Sequence, residues 1–137
     1  MTDLATTDHL FFERAGMDRD RITRIVEETL NGADDGELFL EYRQSEGLAF
    51  DDGRLKSASF DTAQGFGLRA IAAEAVGYSH ASELSEDAIR RASETVRAVR
   101  SVVHGFATLE AEGGFGLPLD CDESFRRMID MLIRAWG

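Results

Sequence analysis

The 137-residue sequence holds one cysteine, one proline, one tryptophan and a single lysine, the last set against fourteen arginines. One cysteine cannot close an internal disulfide, which fits a reducing, cytoplasmic setting. No apolar run approaches the roughly 20 residues that cross a bilayer, so no membrane segment is expected. The segment from Met1 to His9 has acids and no Lys or Arg, and is not expected to act as a secretory signal. Basic residues are in deficit: 26 acids against 15 bases give a net charge of −11. That balance makes nucleic-acid phosphates and anionic membranes poor partners. With 43% hydrophobic residues the chain is still too apolar for disorder, and its length suits one domain with a real core.

What is present is periodic. Ile22, Ile25, Val26, Thr29 and Leu30 recur at helical spacing, which predicts a helix over 18–31 with Asp18 as N-cap and Asn31-Gly32 as its stop. Leu10-Phe11-Phe12 before it predicts another helical turn or an arm packed on the core. Leu38, Leu40 and Tyr42 then alternate with Phe39, Glu41 and Arg43, the pattern of a half-buried strand. Asp51-Asp52-Gly53-Arg54 between Leu48-Ala49-Phe50 and Leu55 to Phe60 predicts a hairpin, because a type I′ turn needs positive φ at both central residues. Gly65 to Ile71 and Val76 to His80 read as two more strands, with the turn near Glu74-Ala75. The expectation is an antiparallel meander of about four strands over 37–80.

Ser85 opens a helix predicted over 85–104, with Glu86 and Asp87 in its first turn and Ala88, Ile89, Ala92, Val96, Val99 and Val103 as its stripe. Helices covering one face of a sheet give an α+β two-layer sandwich, placed at 1–104. Residues 105–137 form a divergent tail with Gly113-Gly114-Phe115-Gly116, Pro118, Cys121 and Trp136. Phe125, Met128, Ile129, Leu132 and Ile133 predict one helix there, over 122–136.

Chemistry is thinly marked. His9, His80 and His104 are too dispersed to share a metal, and His9 with Glu13 supplies two ligands where a zinc site needs a third. His80 is expected to end a strand and His104 to end a helix. Cys121 lies between Asp120 and Asp122, whose charges oppose a thiolate, so it reads as a loop cysteine. No nucleophile elbow or Walker loop appears. Gly65-Phe66-Gly67-Leu68-Arg69-Ala70 matches a loose dinucleotide pattern but lacks the strand before it and the helix within it. Glycines so placed more often mark a bulge or a close backbone approach. Asp34-Asp35 and Asp51-Asp52 sit in turn-forming sequence.

The order of these segments resembles the N-terminal domain of the TldD/PmbA family of zinc metallopeptidases, also called modulators of DNA gyrase. Phe39-Leu40-Glu41-Tyr42-Arg43, Asp51-Asp52-Gly53-Arg54-Leu55-Lys56, Gln64-Gly65-Phe66-Gly67-Leu68-Arg69-Ala70 and Gly77-Tyr78-Ser79 carry it, over about 18–100 and closer to the TldD branch. Asp52, Gly53, Gly65, Gly67, Arg69, Ala70 and Gly77 are then scaffold residues of the motif. The resemblance implies a non-catalytic piece of a peptidase, serving subunit assembly and peptide access, with zinc and a peptide substrate only in the full-length protein. The family's His-Glu-x-x-x-His helix has no counterpart here, so no catalytic, cofactor-binding or metal residue carries over.

Loss of the resemblance after Arg100 suggests a truncated or frameshifted gene product, and the Arg-to-Lys ratio suggests GC-rich coding DNA in which an out-of-frame tail runs long. Expected partners are proteins, either a second copy or a TldD/PmbA-type subunit. Two other readings stay open: a free-standing acidic interaction module, and a small ligand binder or enzyme using Gly65 to Arg69.

Overall fold

A computed structural model describes residues 3–116 and 120–136, with the Trp136 side chain left aside. The chain separates into two compact units, residues 1–100 and 101–137. In the first, a short helix α1 (Leu4–Asp8) runs into a π-helical turn (His9–Glu13), followed by α2 (Arg19–Leu30). Three strands follow, β1 (Asp35–Asp51), β2 (Arg54–Ala72) and β3 (Ala75–Ala81), and then α3 (Glu86–Ala111). The sheet is antiparallel with order β1-β2-β3. The fold class is therefore α+β, as the alternating periods indicated.

Local chemistry sets the ends of these elements. Asp18 accepts a hydrogen bond from the Arg21 amide at 3.0 Å and caps α2. Gly32, at φ +71°, turns the chain away after Asn31. Ser85 Oγ accepts from the Ala88 amide at 3.1 Å and caps α3. At the other end of α2, Arg100 donates to the carbonyls of Thr29 and Asn31 at 3.2 and 2.9 Å, satisfying groups a helix end leaves unpaired.

The core lies between one sheet face and the two helices. Phe66, Leu68 and Ala70 of β2 meet Ile22 and Ile25 of α2 and Ala88, Ile89, Ala92 and Val96 of α3, with Leu38 and Leu40 packed at the edge. Phe11 and Phe12 pack on the same core, so the segment before α2 is both helical and docked. One polar contact is sealed inside: Thr29 Oγ1 donates to the Ile25 carbonyl at 2.6 Å, which leaves Ser93 Oγ to donate to Thr29, also at 2.6 Å. Gly77 lets β3 lie close to α3, since a Cβ there would stand 2.6 Å from the Val96 carbonyl oxygen.

Three expectations are corrected. The meander has three strands, because Ser45-Glu46 and Asp61 to Gln64, which look like turns, pair across from each other: Gln44 opposes Thr62 and Ser45 opposes Asp61. Each predicted pair of short strands is one strand, of 17 and 19 residues. Helix α3 runs seven residues past His104, through Gly105, so that histidine is mid-helix and meets no helix end.

The second unit joins the end of α3 to α4 (Cys121–Trp136). Asp120 Oδ1 accepts from the Glu123 amide at 3.1 Å and caps α4, which makes Cys121 the first helical residue and not a loop residue. Phe106 lies between Phe115 and Phe125, at ring-centroid distances of 4.9 and 5.1 Å. None of the described residues of this unit is fully buried. Pro118 lies outside the described residues.

Candidate functional site

The hairpin of β1 and β2 is longer than the body it belongs to. Burial alternates along β1 only as far as Tyr42, and resumes along β2 only at Gly65. Residues 43–64 form a two-stranded ribbon with both faces in water, about 30 Å long at the usual rise per residue. Its tip is the expected turn, with Asp52 at φ +49° and Gly53 at φ +73°. An ion pair between Lys56 and Asp51, at 3.2 Å, braces the tip.

The two faces of the ribbon differ. Strand pairing places Leu48 beside Ala58, with Phe60 one rung away, all on the face that carries Leu40 and Phe66 in the body. A bulge at Ala49/Phe50 shifts the register by one, so that Phe50 pairs with Leu55 on that same face. The face that forms the core turns polar as it leaves the body, where Gln44 opposes Thr62, and becomes an apolar patch nearer the tip, with Glu46 beside it opposite Phe60. Leu48, Phe50, Leu55 and Phe60 are 62%, 64%, 56% and 62% exposed. Parity along β1 was the available signal for this stripe, but it shows only once β1 is known to be unbroken.

The opposite face of the sheet carries a groove of about 300 Å³. Its floor is Gly65 and Gly67. Phe39 and Glu41 line one side, and Tyr78 and His80 the other. Phe39 and His80 flank Gly67 in register from the two neighbouring strands. The Tyr78 and His80 rings stack at 5.6 Å, and Tyr78 leans over Gly67, where a Cβ would come within 3.0 Å of its hydroxyl.

The residues singled out from sequence do not converge on one point. Asp52 and Gly53 are at the ribbon tip, Gly65 and Gly67 in the groove floor, and Ala70 in the core. Gly77 sits under α3. Arg69 holds Glu37 across the strands at 2.9 Å. His9 bonds Glu13 at 2.8 Å in the open. Asp34 accepts from the Ala73 amide at 2.6 Å, a turn role. Among the described residues no three His, Cys, Asp or Glu side chains gather to hold a metal, and no helix is long and apolar enough to cross a membrane.

Two curated proteins share a local likeness with the chain. The metalloprotease TldD homolog of Haemophilus influenzae is 28% identical over 72 residues, 53% of this chain and 15% of that protein. The homolog of Buchnera aphidicola subsp. Schizaphis graminum is 29% identical over 66 residues, 48% of this chain and 14% of that protein. The chain therefore spans only about one-seventh of the curated relatives it matches. A family model for the tetracyclin repressor-like C-terminal domain matches residues 6–132, which takes in every strand, both long helices and the segment beyond Arg100. That match overturns the assignment to the TldD/PmbA metallopeptidases, and with it the reading as a peptidase scaffold with zinc and proteolysis in its background. On this match, the chain belongs to the family of tetracyclin repressor-like C-terminal domains.

Proposed function

We propose that this chain is the self-association domain of a repressor-like regulator, and that two copies meet through the apolar face of the ribbon. Dimerisation is a role of C-terminal domains of this family, and supports a protein partner for this chain. The observation that carries the reading is the stripe Leu48, Phe50, Leu55 and Phe60, four large apolar side chains left in water on a face that is core further along the same strands. A contiguous exposed patch of that kind marks an interaction surface far more often than scattered surface residues do. Since a two-stranded ribbon is barely stable alone, a second ribbon laid face to face would also support its own fold. A two-fold axis does this with one patch on both copies.

Magnitudes set the strength. Fully burying a Leu or Phe side chain contributes about 1.5–3 kcal/mol. Four side chains that keep rather more than half their surface exposed therefore supply on the order of 4–7 kcal/mol per copy, and about twice that for a symmetric pair. Lost translational and rotational freedom costs roughly 4–15 kcal/mol. With that cost at its low end, about 4 kcal/mol, the balance is about 4–10 kcal/mol in favour, a dimer between about 0.1 micromolar and about millimolar.

Light scattering during size-exclusion chromatography tests this. The mass should rise towards twice 15.1 kDa with loading concentration. Phe60→Asp should hold it at the monomer value while leaving the far-ultraviolet circular dichroism unchanged. Monomeric wild-type protein at about millimolar loading, the weak end of the range, defeats the reading.

A further inference from the structure

The sheet ends at β3, and the outer edge of that strand is open. We propose that this edge takes an extended peptide segment of another protein as an added strand, with one aliphatic side chain of the segment seated between β3 and α3. The Ile71 carbonyl accepts the Asp34 amide at 2.8 Å on the β1 side. Ile71, Arg69 and Gly67 therefore turn their main-chain groups to β1, and the residues between them turn theirs to β3. Along β3 the same alternation leaves Ala75, Gly77, Ser79 and Ala81 bonded to β2, while Val76, Tyr78 and His80 direct N–H and C=O outward. Among the described residues no other stretch of backbone pairs with these three. Natural sheets blunt open edges with charge, proline or a bulge. The opposite edge strand, β1, carries Asp35, Glu37, Glu41, Glu46 and Asp51. β3 has no Asp, Glu, Lys, Arg or proline and no register shift.

The space beside the edge selects the occupant. A hollow of about 200 Å³ lies between β3 and α3, with Phe66, Ala88 and Ala92 as its floor and Arg91 and Thr95 on the helix side. That is the space of about seven waters, room for one Leu or Ile side chain. The floor residues belong to the core, and Arg91 already faces Glu83 at 3.7 Å, so the hollow suits an apolar group. In an antiparallel added strand, the residue opposite Ser79 projects on this face. Those opposite Tyr78 and His80 turn their N–H and C=O to β3. One short segment is thus held by its backbone and selected by a side chain. The net charge of −11 repels an acidic segment and favours a basic one. A second copy does not fit here. α3 runs close beneath β3, where a Cβ on Gly77 would stand 2.6 Å from the Val96 carbonyl oxygen. Two β3 strands paired edge to edge lie about 4.8 Å apart, whereas packed helices need about 8–10 Å between axes. Two α3 helices would collide, so the occupant is a segment without a helix of its own beneath it.

The test titrates the full chain with the capped pentapeptide Lys-Thr-Ile-Thr-Lys at about 0.15 M salt, where non-specific attraction to the surface is screened. Amide chemical shifts and amide hydrogen exchange are read residue by residue. In the free chain Gly77 and Ser79 should exchange slowly, and Tyr78 and His80 fast. Saturating peptide should slow Tyr78 and His80 about tenfold or more, with saturable shifts centred on β3, Ala92 and Thr95. N-methylation of both peptide Thr residues, whose N–H groups face β3, should weaken binding about tenfold or more. The same change at the peptide Ile, whose N–H points away, should leave binding intact, whereas Gly in place of that Ile should weaken it about tenfold. Shifts that do not saturate, that centre on β1 or the ribbon, or binding indifferent to N-methylation of the Thr residues would overturn the proposal. Phe60→Asp should leave peptide binding unchanged, so failure here is distinct from failure of self-association.

Discussion

At the scale of single residues, the contacts that matter most are long-range. Thr29 and Ser93 meet 64 positions apart inside the core, and the direction of their bond makes their roles unequal. Replacing Thr29 by Val leaves the Ser93 hydroxyl without its acceptor in a dry site and should cost about 1–3 kcal/mol. Ser93→Ala leaves Thr29 bonded to Ile25 and should cost less than about 1 kcal/mol. Urea denaturation of the two variants measures the difference, and equal losses would show that the bond runs the other way. Gly77→Ala, which drives a Cβ against the Val96 carbonyl, should cost about 1–3 kcal/mol in the same assay. A glycine at 77 is plain in the sequence, but its reason is not, because the backbone it must clear lies 19 positions later in another element.

Among the elements, helix caps and the hairpin turn were legible because each is written in adjacent residues: Asp18 before α2, Ser85 before α3, Asp52-Gly53 at the tip. Strand continuity was not. Ser45-Glu46-Gly47 and Asp61-Thr62-Ala63-Gln64 have the composition of turns, and only their mutual pairing makes them strand. Gly105 likewise has no power to stop α3 at His104, since a lone glycine inside a helix costs only about 1 kcal/mol. The ribbon itself contributes nothing to the buried core. Joining Tyr42 to Gln64 through Asn-Gly should therefore keep α2, α3 and the shortened sheet folded, with thermal unfolding still cooperative, and should abolish self-association. Loss of cooperative unfolding in that variant would mean that the ribbon is part of the stabilising core.

For the molecule as a whole, charge and apolar surface oppose each other. Two copies of a chain with net charge −11 repel, and the repulsion is screened over about 8–10 Å at moderate salt. Raising the salt from about 0.05 M to about 0.5 M should therefore strengthen dimerisation, the opposite of the response expected for an interface built from ion pairs. Sedimentation equilibrium across that range reads the sign directly. The change of hydrophobic period along the chain made the α+β class legible, but not the family. An Asp-Gly turn, paired strand glycines and a Ser-capped helix are general sheet chemistry, so a likeness built on them extends over about half the chain, whereas the family match includes the segment after Arg100 that the motifs leave out.

The most direct test of the account is an isotope-filtered nuclear Overhauser experiment on a mixture of labelled and unlabelled chains, which reports only contacts between copies. Self-association through the ribbon predicts intermolecular cross-peaks among Leu48, Phe50, Leu55 and Phe60. Cross-peaks confined to α4 or to the outer sheet face, with none at those four residues, would contradict it.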